Sequence, residues 1–434
     1  MDAARLPTHD EVDAMSGATQ DAGPWDVLEA HMDGAELCCS DWAAALDNPC
    51  YVLDELAEIV EQRLLAHVDA LEIGGPPVAE RLLAPALGDD ATPARATAAA
   101  LVALCTKSIE PSRTLVASLA AHSGPALLGV ATALAMAARR ELSAQLVEVV
   151  GALADDRLTT LVPALARGGY DTAKAIDAAL TAADPELRIV GARATLGADR
   201  RLQPWIERAI ASDDEALRVA ALPSGLVLGA KGAAGLTAEL ALRSKTVHRD
   251  ALCWLALVGD RSTVAALCKR VDDAAARPDV LWALGFSGMT IAADACVAWL
   301  ADEKLGALAA DSFAAITGLD RSDRRWWAPP AAVPSDDDEA ARAGVPAGLP
   351  LPVPDTVARW WSQHRVQFML DQRYVLGRQL DPKGLIHALR HESLPRRHVR
   401  ALDLLIRTQG RAHVHTRTLS GVQRREMAAL AGAL

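Results

Sequence analysis

Two histidines at helical spacing are the residues best placed for metal chemistry. His387 and His391 are four residues apart in a segment with a helical pattern, so both rings face one side and could bind zinc. Further ligands could come from three later histidines, His398, His413 and His415. Ala388 follows His387, which excludes the HExxH metalloprotease motif. Because several nearby arginines would repel a cation, we expect no metal site here.

Sequence motifs for other kinds of catalysis are also missing. The chain contains no GxxxxGK[ST] loop, no GxSxG nucleophile turn and no GxGxxG that follows a strand. Its seven cysteines are scattered and include no CxxC pair, which is typical of buried, reduced thiols. We therefore expect no catalytic residues and no cofactor, although a Ser/His/Asp triad assembled in space stays open.

Tryptophan pairs and a group of arginines are the candidate interaction residues. Trp326-Trp327 and Trp360-Trp361 could stack on a ligand or pack between neighbouring helices. We expect Trp360 or Trp361 to dock near Trp299 and Phe313. The candidates for contact with a protein partner are Trp360, Trp361, Arg396, Arg397 and Arg400.

The three arginines occupy the first turns of a predicted helix, where a cation opposes the helix dipole. A role in helix stability alone therefore explains them poorly. We consider a carboxylate partner, in this chain or in another protein, and simple solvation as the alternatives. We expect part of this basic surface to be open for an acidic partner.

Charge is distributed unevenly along the chain. The whole sequence has a net charge of −12, yet residues 355–434 carry 14 basic and 6 acidic residues. The rest of the chain is strongly acidic, which makes nucleic acid an unfavourable partner for it. The first twenty residues lack the pattern of a secretory signal, and the apolar run at 125–138 is too short to span a bilayer. We predict a cytoplasmic protein without a membrane span.

The elements that would position these residues are helical. Hydrophobic residues make up 51% of the 434 residues but aromatic residues only 4%, and the apolar share is mostly Ala and Leu, which favours helices. Similar segments recur every 28 to 31 residues, as in Asp184-Pro185 and Asp214-Glu215 or in Trp254, Trp282 and Phe313. This period fits short helical hairpins that share a core when stacked.

The fold prediction is all-α: an α-solenoid of degenerate HEAT-type hairpins with a C-terminal helical cap. We divide the chain into a flexible acidic N-terminus, a helical segment, a repeat array, a Pro-rich acidic linker and a basic helical module. Their predicted bounds are 1–23, 24–90, 91–319, 320–354 and 355–434. The glycines between Gly225 and Gly235 are interpreted as a loop.

Three patches of the chain resemble an uncharacterised bacterial HEAT-repeat family that is often linked to type VI secretion gene clusters. The first is Glu61–Leu71, the second is Phe313–Leu319, and the third combines Trp360-Trp361, Arg373–Gly377 and the run 397–408. The resemblance implies the helical-repeat architecture and a secretion-linked context, without catalytic residues to carry over.

We therefore predict a non-enzymatic protein-binding scaffold or adaptor whose partner is another protein. No small-molecule substrate is implied. The alternative is a nucleic-acid-binding or DNA-repair enzyme on a HEAT-like scaffold, which would need a basic groove with a catalytic carboxylate.

Overall fold

The computed structural model describes residues 25–88, 90–153, 155–196, 200–244, 246–328 and 348–433, with the side chain of residue 155 left aside. The predicted flexible segment 1–23 lies outside these residues. So does the middle of the predicted linker, including its acidic run Asp336–Glu339. All structural statements below refer to the described residues.

Helices dominate the fold, as predicted. The N-terminal third contains α1 to α7: Trp25–Leu46, Leu53–Glu55, Gln62–Ile73, Gly75–Val78, Pro93–Cys105, Glu110–Ala117 and Gly124–Ala137. The middle contains α8 to α19: Ser143–Val150, Asp155–Gly168, Ala173–Thr181, Pro185–Ala194, Gln203–Ile210, Glu215–Leu228, Ala233–Leu242, Arg249–Val258, Arg261–Lys269, Arg277–Ser287, Thr290–Val297 and Gly306–Thr317. The C-terminal part contains α20 to α23: Pro354–His364, Pro382–His391, Leu394–Thr408 and Ser420–Ala433.

Strand pairing in the described part of the chain is limited to two short antiparallel ladders. β1 (Trp327–Ala328) pairs with β2 (Leu351–Pro352), and β3 (Tyr374–Val375) pairs with β4 (Arg378–Gln379). Leu376 and Gly377 connect β3 and β4 with φ angles of 49° and 73°. Two positive φ angles are typical of a tight hairpin turn, which is why a glycine stands there.

Residue contacts divide the chain into two compact units. Unit 1 comprises the described residues up to Ser40 and Gln62–Ala133, and unit 2 comprises Asp41–Glu61 and the described residues from Leu134 onward. In unit 1, Thr92 caps α5 by accepting a hydrogen bond from the Arg95 amide. The five predicted domains are consecutive stretches of sequence, whereas these two units are defined by contacts. The predicted domain bounds therefore stay a prediction.

Helical hairpins in unit 2 begin where the recurring sequence pattern predicts. Asp184 accepts a hydrogen bond from the Glu186 amide at the start of α11, and Asp214 accepts one from the Leu217 amide at the start of α13. Pro185 occupies the first turn of α11, where its missing N–H costs nothing. The Asp-x-x-Leu-Arg pattern therefore marks helix starts.

The helices from α9 to α19 pack in an alternating order. Odd-numbered helices contact one another in two series, α9–α11–α13 and α15–α17–α19. Even-numbered helices pair with the odd helix that follows them, as α10 with α11, α12 with α13, α14 with α15 and α18 with α19. We call α9, α11, α13, α15, α17 and α19 the odd row.

The C-terminal segment contacts much more of the odd row than the predicted cap would. Helix α22 packs on α13, and the Leu376 amide donates to the Ala315 carbonyl of α19 at 2.9 Å. Arg373 donates to carbonyls at the ends of α15 and α17, including Leu257 at 3.0 Å and Ser287 at 2.9 Å. A cation suits the negative end of a helix dipole. The segment that the sequence predicts as a C-terminal cap therefore contacts hairpins well before the last one.

Some local predictions differ from the structure. Residues 25–46, at the start of the predicted helical segment 24–90, form the single helix α1. The interpretation of Gly225–Gly235 as a loop is wrong, because Gly225 lies in α13 and Gly235 in α14. The loop proper contains Gly229 and Gly232, whose φ angles of 67° and 87° suit glycine. No helix in the described ranges is long and apolar enough to cross a membrane.

Candidate functional site

The predicted tryptophans lie in an aromatic cluster on α19 and α20. The ring of Trp361 is buried, lies 5.3 Å from that of Phe313 and donates Nε1–H to Asp294 at 2.8 Å. Trp360 is half-buried, 6.1 Å from Phe313 and stacked on His364 at 4.7 Å. The expected docking at Phe313 is observed. Both rings therefore pack mainly within the chain.

The predicted arginine surface is absent, because all three side chains are buried. Arg396, Arg397 and Arg400 are each at most 1% exposed. Arg396 donates Nε–H to Asp311 at 2.7 Å, and Arg400 donates Nε–H to Glu392 at 2.9 Å. The expectation of an open basic surface for an acidic partner is therefore corrected: Arg396 and Arg400 pair with carboxylates of this chain, and Arg397 donates to the Leu389 carbonyl and to Gln423 Oε1.

Contacts with α17 explain why cations stand at the start of α22. Arg400 donates to the carbonyls of Gly285 at 3.0 Å and Phe286 at 3.2 Å, near the negative end of α17. The Arg396 guanidinium lies over the Trp282 ring at 4.2 Å. A β-carbon at Gly285 would lie 2.5 Å from Arg396 Nη1, so only glycine permits this approach. We call this group the arginine anchor: Arg396, Arg400, Asp311, Glu392 and Gly285.

Glu61, in the first of the three patches that resemble the HEAT-repeat family, is a buried carboxylate that binds the start of α23. Glu61 ends a π-helical segment, Leu56–Glu61, and is 3% exposed. It accepts hydrogen bonds from Trp42 Nε1 at 2.9 Å and from the Ser420 amide at 2.9 Å, at the start of α23. A negative charge is favourable there. Regular helical periodicity places Glu61 away from the apolar stripe, so the π segment explains its burial.

A cleft opens where α22 faces the first helices of the odd row. Its volume is about 360 Å³. Helix α9 contributes Pro163, Ala166 and Arg167, and α11 contributes Arg193 and Ala194. The opposite wall comes from α22 and the segment that follows it, with His398, Leu402, Leu405, His413, Val414, His415, Thr416 and Arg417. We call this cavity the cleft.

Three arginines give the cleft a positive character. Arg167 and Arg193 are exposed, and the Arg417 side chain is 38% exposed. Loss of hydration, followed by the charge of Arg417, lowers the pKa of Arg167. None of the described lining residues carries a carboxylate. The one ion pair of Arg417 reaches outward to Asp47, itself 70% exposed, at 3.3 Å.

Two histidines in the cleft are held neutral. Burial, reinforced by the charges of Arg417 and Arg397, lowers the pKa of His398 to about 3. Burial and His415 lower the pKa of His413 to about 3. Nδ1 of His398 is hydrogen-bonded to Thr416 Oγ1 at 2.7 Å, whereas its buried Nε2 has no hydrogen-bond partner. A buried polar atom without a partner is costly unless a ligand or water satisfies it.

The third histidine is fixed by an acid behind the cleft. Nδ1 of His415 lies 2.8 Å from Glu426 Oε1, and the His415 amide donates to Glu426 Oε2 at 2.8 Å. Arg140 also pairs with Glu426. Burial acts to raise the pKa of Glu426, but the hydrogen bonds from His415 and Arg140 outweigh it and lower that pKa to about 2. This carboxylate is therefore neutralised within the chain.

A second cavity of about 470 Å³ adjoins the cleft. The two share Ala166, Ala194, Leu196 and His415 as lining residues. The second cavity also contains two exposed carboxylates, Asp171 and Asp177, and one exposed cation, Arg201. Together the cavities offer a cationic recess next to one in which acidic side chains outnumber the basic one.

Two histidines of the cleft are poorly suited to general base catalysis. A general base works best when its pKa is near the working pH, and His398 and His413 are far below it. No group of three or more His, Cys, Asp or Glu side chains within the described residues is arranged to hold a metal ion. His387 and His391 lie together, with ring centroids 4.4 Å apart, but on α21 and outside the cleft.

Sequence reasoning noticed the histidines of the cleft but missed its arginines from the repeats. Arg167 and Arg193 stand in different hairpins and look like ordinary surface residues. The only signal in the sequence was the concentration of histidines after residue 355, where six of the eleven lie.

Comparison with known proteins gives the chain no relative from which a function could be transferred. A scan against protein-family models finds no match. A search of the curated proteins finds no significant match either.

Proposed function

We propose that this chain is a protein-binding scaffold or adaptor built on HEAT-like helical repeats, and that a partner protein docks in the cleft and the adjoining cavity. The observation that carries the proposal is this pair of cavities, cationic in one part and acidic in the other, between the odd row and the C-terminal segment. An extended peptide can place charged and apolar side chains in both cavities more readily than one compact molecule can.

The alternating helix packing supports the repeat architecture within unit 2. Within each of the two series of the odd row, a helix contacts the next odd helix, and each even helix pairs with its successor. Such stacked hairpins are the building principle of α-solenoids, which bind partners on extended surfaces without a catalytic centre. We propose that α9 to α19 form such a solenoid and that the protein acts in the cytoplasm. A role near a type VI secretion system rests on the sequence resemblance alone.

The C-terminal segment narrows the surface that a partner can use. The C-terminal segment already covers much of the odd row, because α22 and the β3–β4 hairpin with the adjoining Arg373 contact α13, α15, α17 and α19. The cleft beside α9 and α11 is where the odd row and α22 leave a cavity instead. We therefore place the docking site there and not at Arg396, Arg397 or Arg400.

Quantitative affinity capture with the full chain tests this proposal. The variant is Arg193→Glu, which reverses one charge in the last turn of α11. The matched control is Arg208→Glu, which reverses an exposed charge in the last turn of α12, outside both cavities. We expect a protein that the unchanged chain and the control retain but Arg193→Glu loses. If the same proteins are retained by all three baits, the cleft is not the docking site.

A further inference from the structure

We propose that the cleft binds an anionic group, a carboxylate or a phosphate, carried on an apolar stem. This inference deepens the proposed function, since it names the chemistry that a partner must present at the same cleft. The inference rests on the proposed function only in assigning the anionic group to a partner protein, because a free small molecule with the same group would make the same contacts.

Unneutralised cations are the first argument. Arg167 uses Nε–H for the Pro163 carbonyl of its own helix at 3.1 Å, and no ion pair holds it within the described residues. Arg193 likewise has no ion pair there. The pairing of Arg417 with the exposed Asp47 is weak, because such surface pairs contribute little. The repulsion between Arg167 and Arg417 is relieved when an anion lies between α9 and the turn that carries Arg417.

The unsatisfied nitrogen of His398 is an independent argument. His398 lines the cleft, and its buried Nε2 has no hydrogen-bond partner. A neutral imidazole carries one N–H donor and one acceptor nitrogen. If Thr416 Oγ1 donates to Nδ1, Nε2 carries the ring hydrogen and can donate it to an anionic oxygen. The Leu46 carbonyl, whose hydrogen bonding opposes the fall in the pKa of this ring, is the competing acceptor. The positive potential that Arg417 and Arg397 exert on this ring favours an acceptor of negative charge.

The charged groups that line the cleft or act on its histidines are mostly cations, although Asp47 pairs with Arg417 outside it. Cations come from α9, α11, α22 and the segment after α22, and two histidines accompany them. The one buried acid nearby is already paired with His415 and Arg140. These groups are Arg167, Arg193, Arg397, Arg417, His413, His415 and Glu426. The balance around an incoming anion is therefore positive.

The apolar walls define the rest of the ligand. Leu402 and Leu405 of α22 face Pro163 and Ala166 of α9 across the cleft, with Val414 beside them. A volume of about 360 Å³ is at the lower end of the usual range for ligand pockets, about 300–1,000 Å³. An inorganic ion would leave most of this apolar surface without contact. An aromatic or aliphatic side chain next to the anion would cover it.

Calorimetric titration of the full chain with small probes tests the inference. The probes are phenyl phosphate, N-acetylphenylalanine, its uncharged amide and inorganic phosphate. We expect one or both of the first two to bind, the amide to bind about tenfold or more weakly, and inorganic phosphate to bind less well than phenyl phosphate. Preference for phenyl phosphate assigns a phosphate ligand, and preference for N-acetylphenylalanine assigns a carboxylate such as a peptide C-terminus.

Variants decide whether the binding occurs in the cleft. Arg193→Glu should weaken binding about tenfold or more, while Arg208→Glu should leave it within about twofold. Circular dichroism and melting check that both variants fold. The inference would be overturned if neither phenyl phosphate nor N-acetylphenylalanine bound more tightly than the uncharged amide, or if the two variants had equal affinity. If the anions bind in the cleft but affinity capture finds no partner that depends on Arg193, the protein-binding proposal fails and the anion site stands.

Discussion

Helix α22 borders two groups of arginines that differ in whether a carboxylate of the chain neutralises their charge. In the arginine anchor, Arg396 and Arg400 are fully buried and each pairs with a buried carboxylate. In the cleft, the arginines that face the same helix from α9 and α11 meet no described carboxylate. A charge that its own chain neutralises is part of the packing. A charge left without a counter-ion beside a cavity is available to a ligand.

The largest expected effect comes from the arginine anchor. Arg400→Ala leaves Glu392 buried without its cation and removes two hydrogen bonds to the end of α17. Breaking a buried ion pair in this way costs about 3–5 kcal/mol of unfolding free energy. Chemical denaturation measures the loss. The control Arg390→Ala, at an exposed position of α21, should change stability by less than about 0.5 kcal/mol. Similar losses in both variants would contradict the contrast between buried and exposed arginines.

The next effect depends on pH and concerns the cleft end of α22. The pKa of His398 is lowered from 6.5 to about 3 in the folded chain. The unfolded chain therefore takes up a proton below about pH 6.5 that the folded chain refuses, and stability falls as the pH drops toward 3. One such group contributes a slope of up to about 1.4 kcal/mol per pH unit.

Replacement of this ring tests the slope. His398→Gln should flatten the decline of stability between about pH 6 and pH 4, as measured by denaturation at several pH values. His391→Gln, at an exposed position of α21, is the matched control. An equal flattening in the control would show that the buried ring is not responsible.

A smaller loss is expected where Glu61 holds the start of α23. Glu61→Gln removes the negative charge of the side chain that accepts a hydrogen bond from the Ser420 amide. It also weakens the hydrogen bond with Trp42 Nε1. The cost is about 1–3 kcal/mol, because the site is buried. Glu58→Gln in the same π-helical segment is exposed and serves as the control. Unchanged melting of Glu61→Gln would refute the assigned role.

The smallest effect on stability is expected in the cleft itself. Arg193→Glu should change the unfolding free energy by no more than about 0.5 kcal/mol, since this exposed arginine has no ion pair within the described residues. Denaturation of Arg193→Glu beside Arg208→Glu measures it. A loss comparable to that of Arg400→Ala would mean that the cleft arginines are structural, and the division between the two regions would fail.

Local features of the fold could be predicted because their causes are close in sequence. Asp184 and Asp214 cap the helices that they immediately precede, and the apolar period around them places their hairpins. The aromatic docking of Trp361 on Phe313 was also predictable, since large rings at the end of a repeat need a covered surface.

Long-range features could not be predicted in the same way. Asp311 is 85 positions before Arg396, and a single sequence gives no sign that the two meet. The burial of Glu61 depends on a π segment that rotates it out of its periodic position. Arg193 can be recognised as a cleft residue only when the position of α22 is known. The sequence therefore suggested an exposed surface for Arg396 and Arg400, which are buried in the core. It suggested an ordinary surface position for Arg193, which lines the cleft.

The contacts of the C-terminal segment have a consequence for how unit 2 folds. Arrays of helical hairpins usually depend on nearest neighbours, so folding can begin anywhere and spread. Here Arg373 joins carbonyls more than 100 positions earlier, and Ser420 is bonded to a carboxylate 359 positions away. Closing loops of this length slows folding and couples distant hairpins. Unit 2 should therefore unfold as one cooperative block, in which residues near position 420 complete the structure around Glu61.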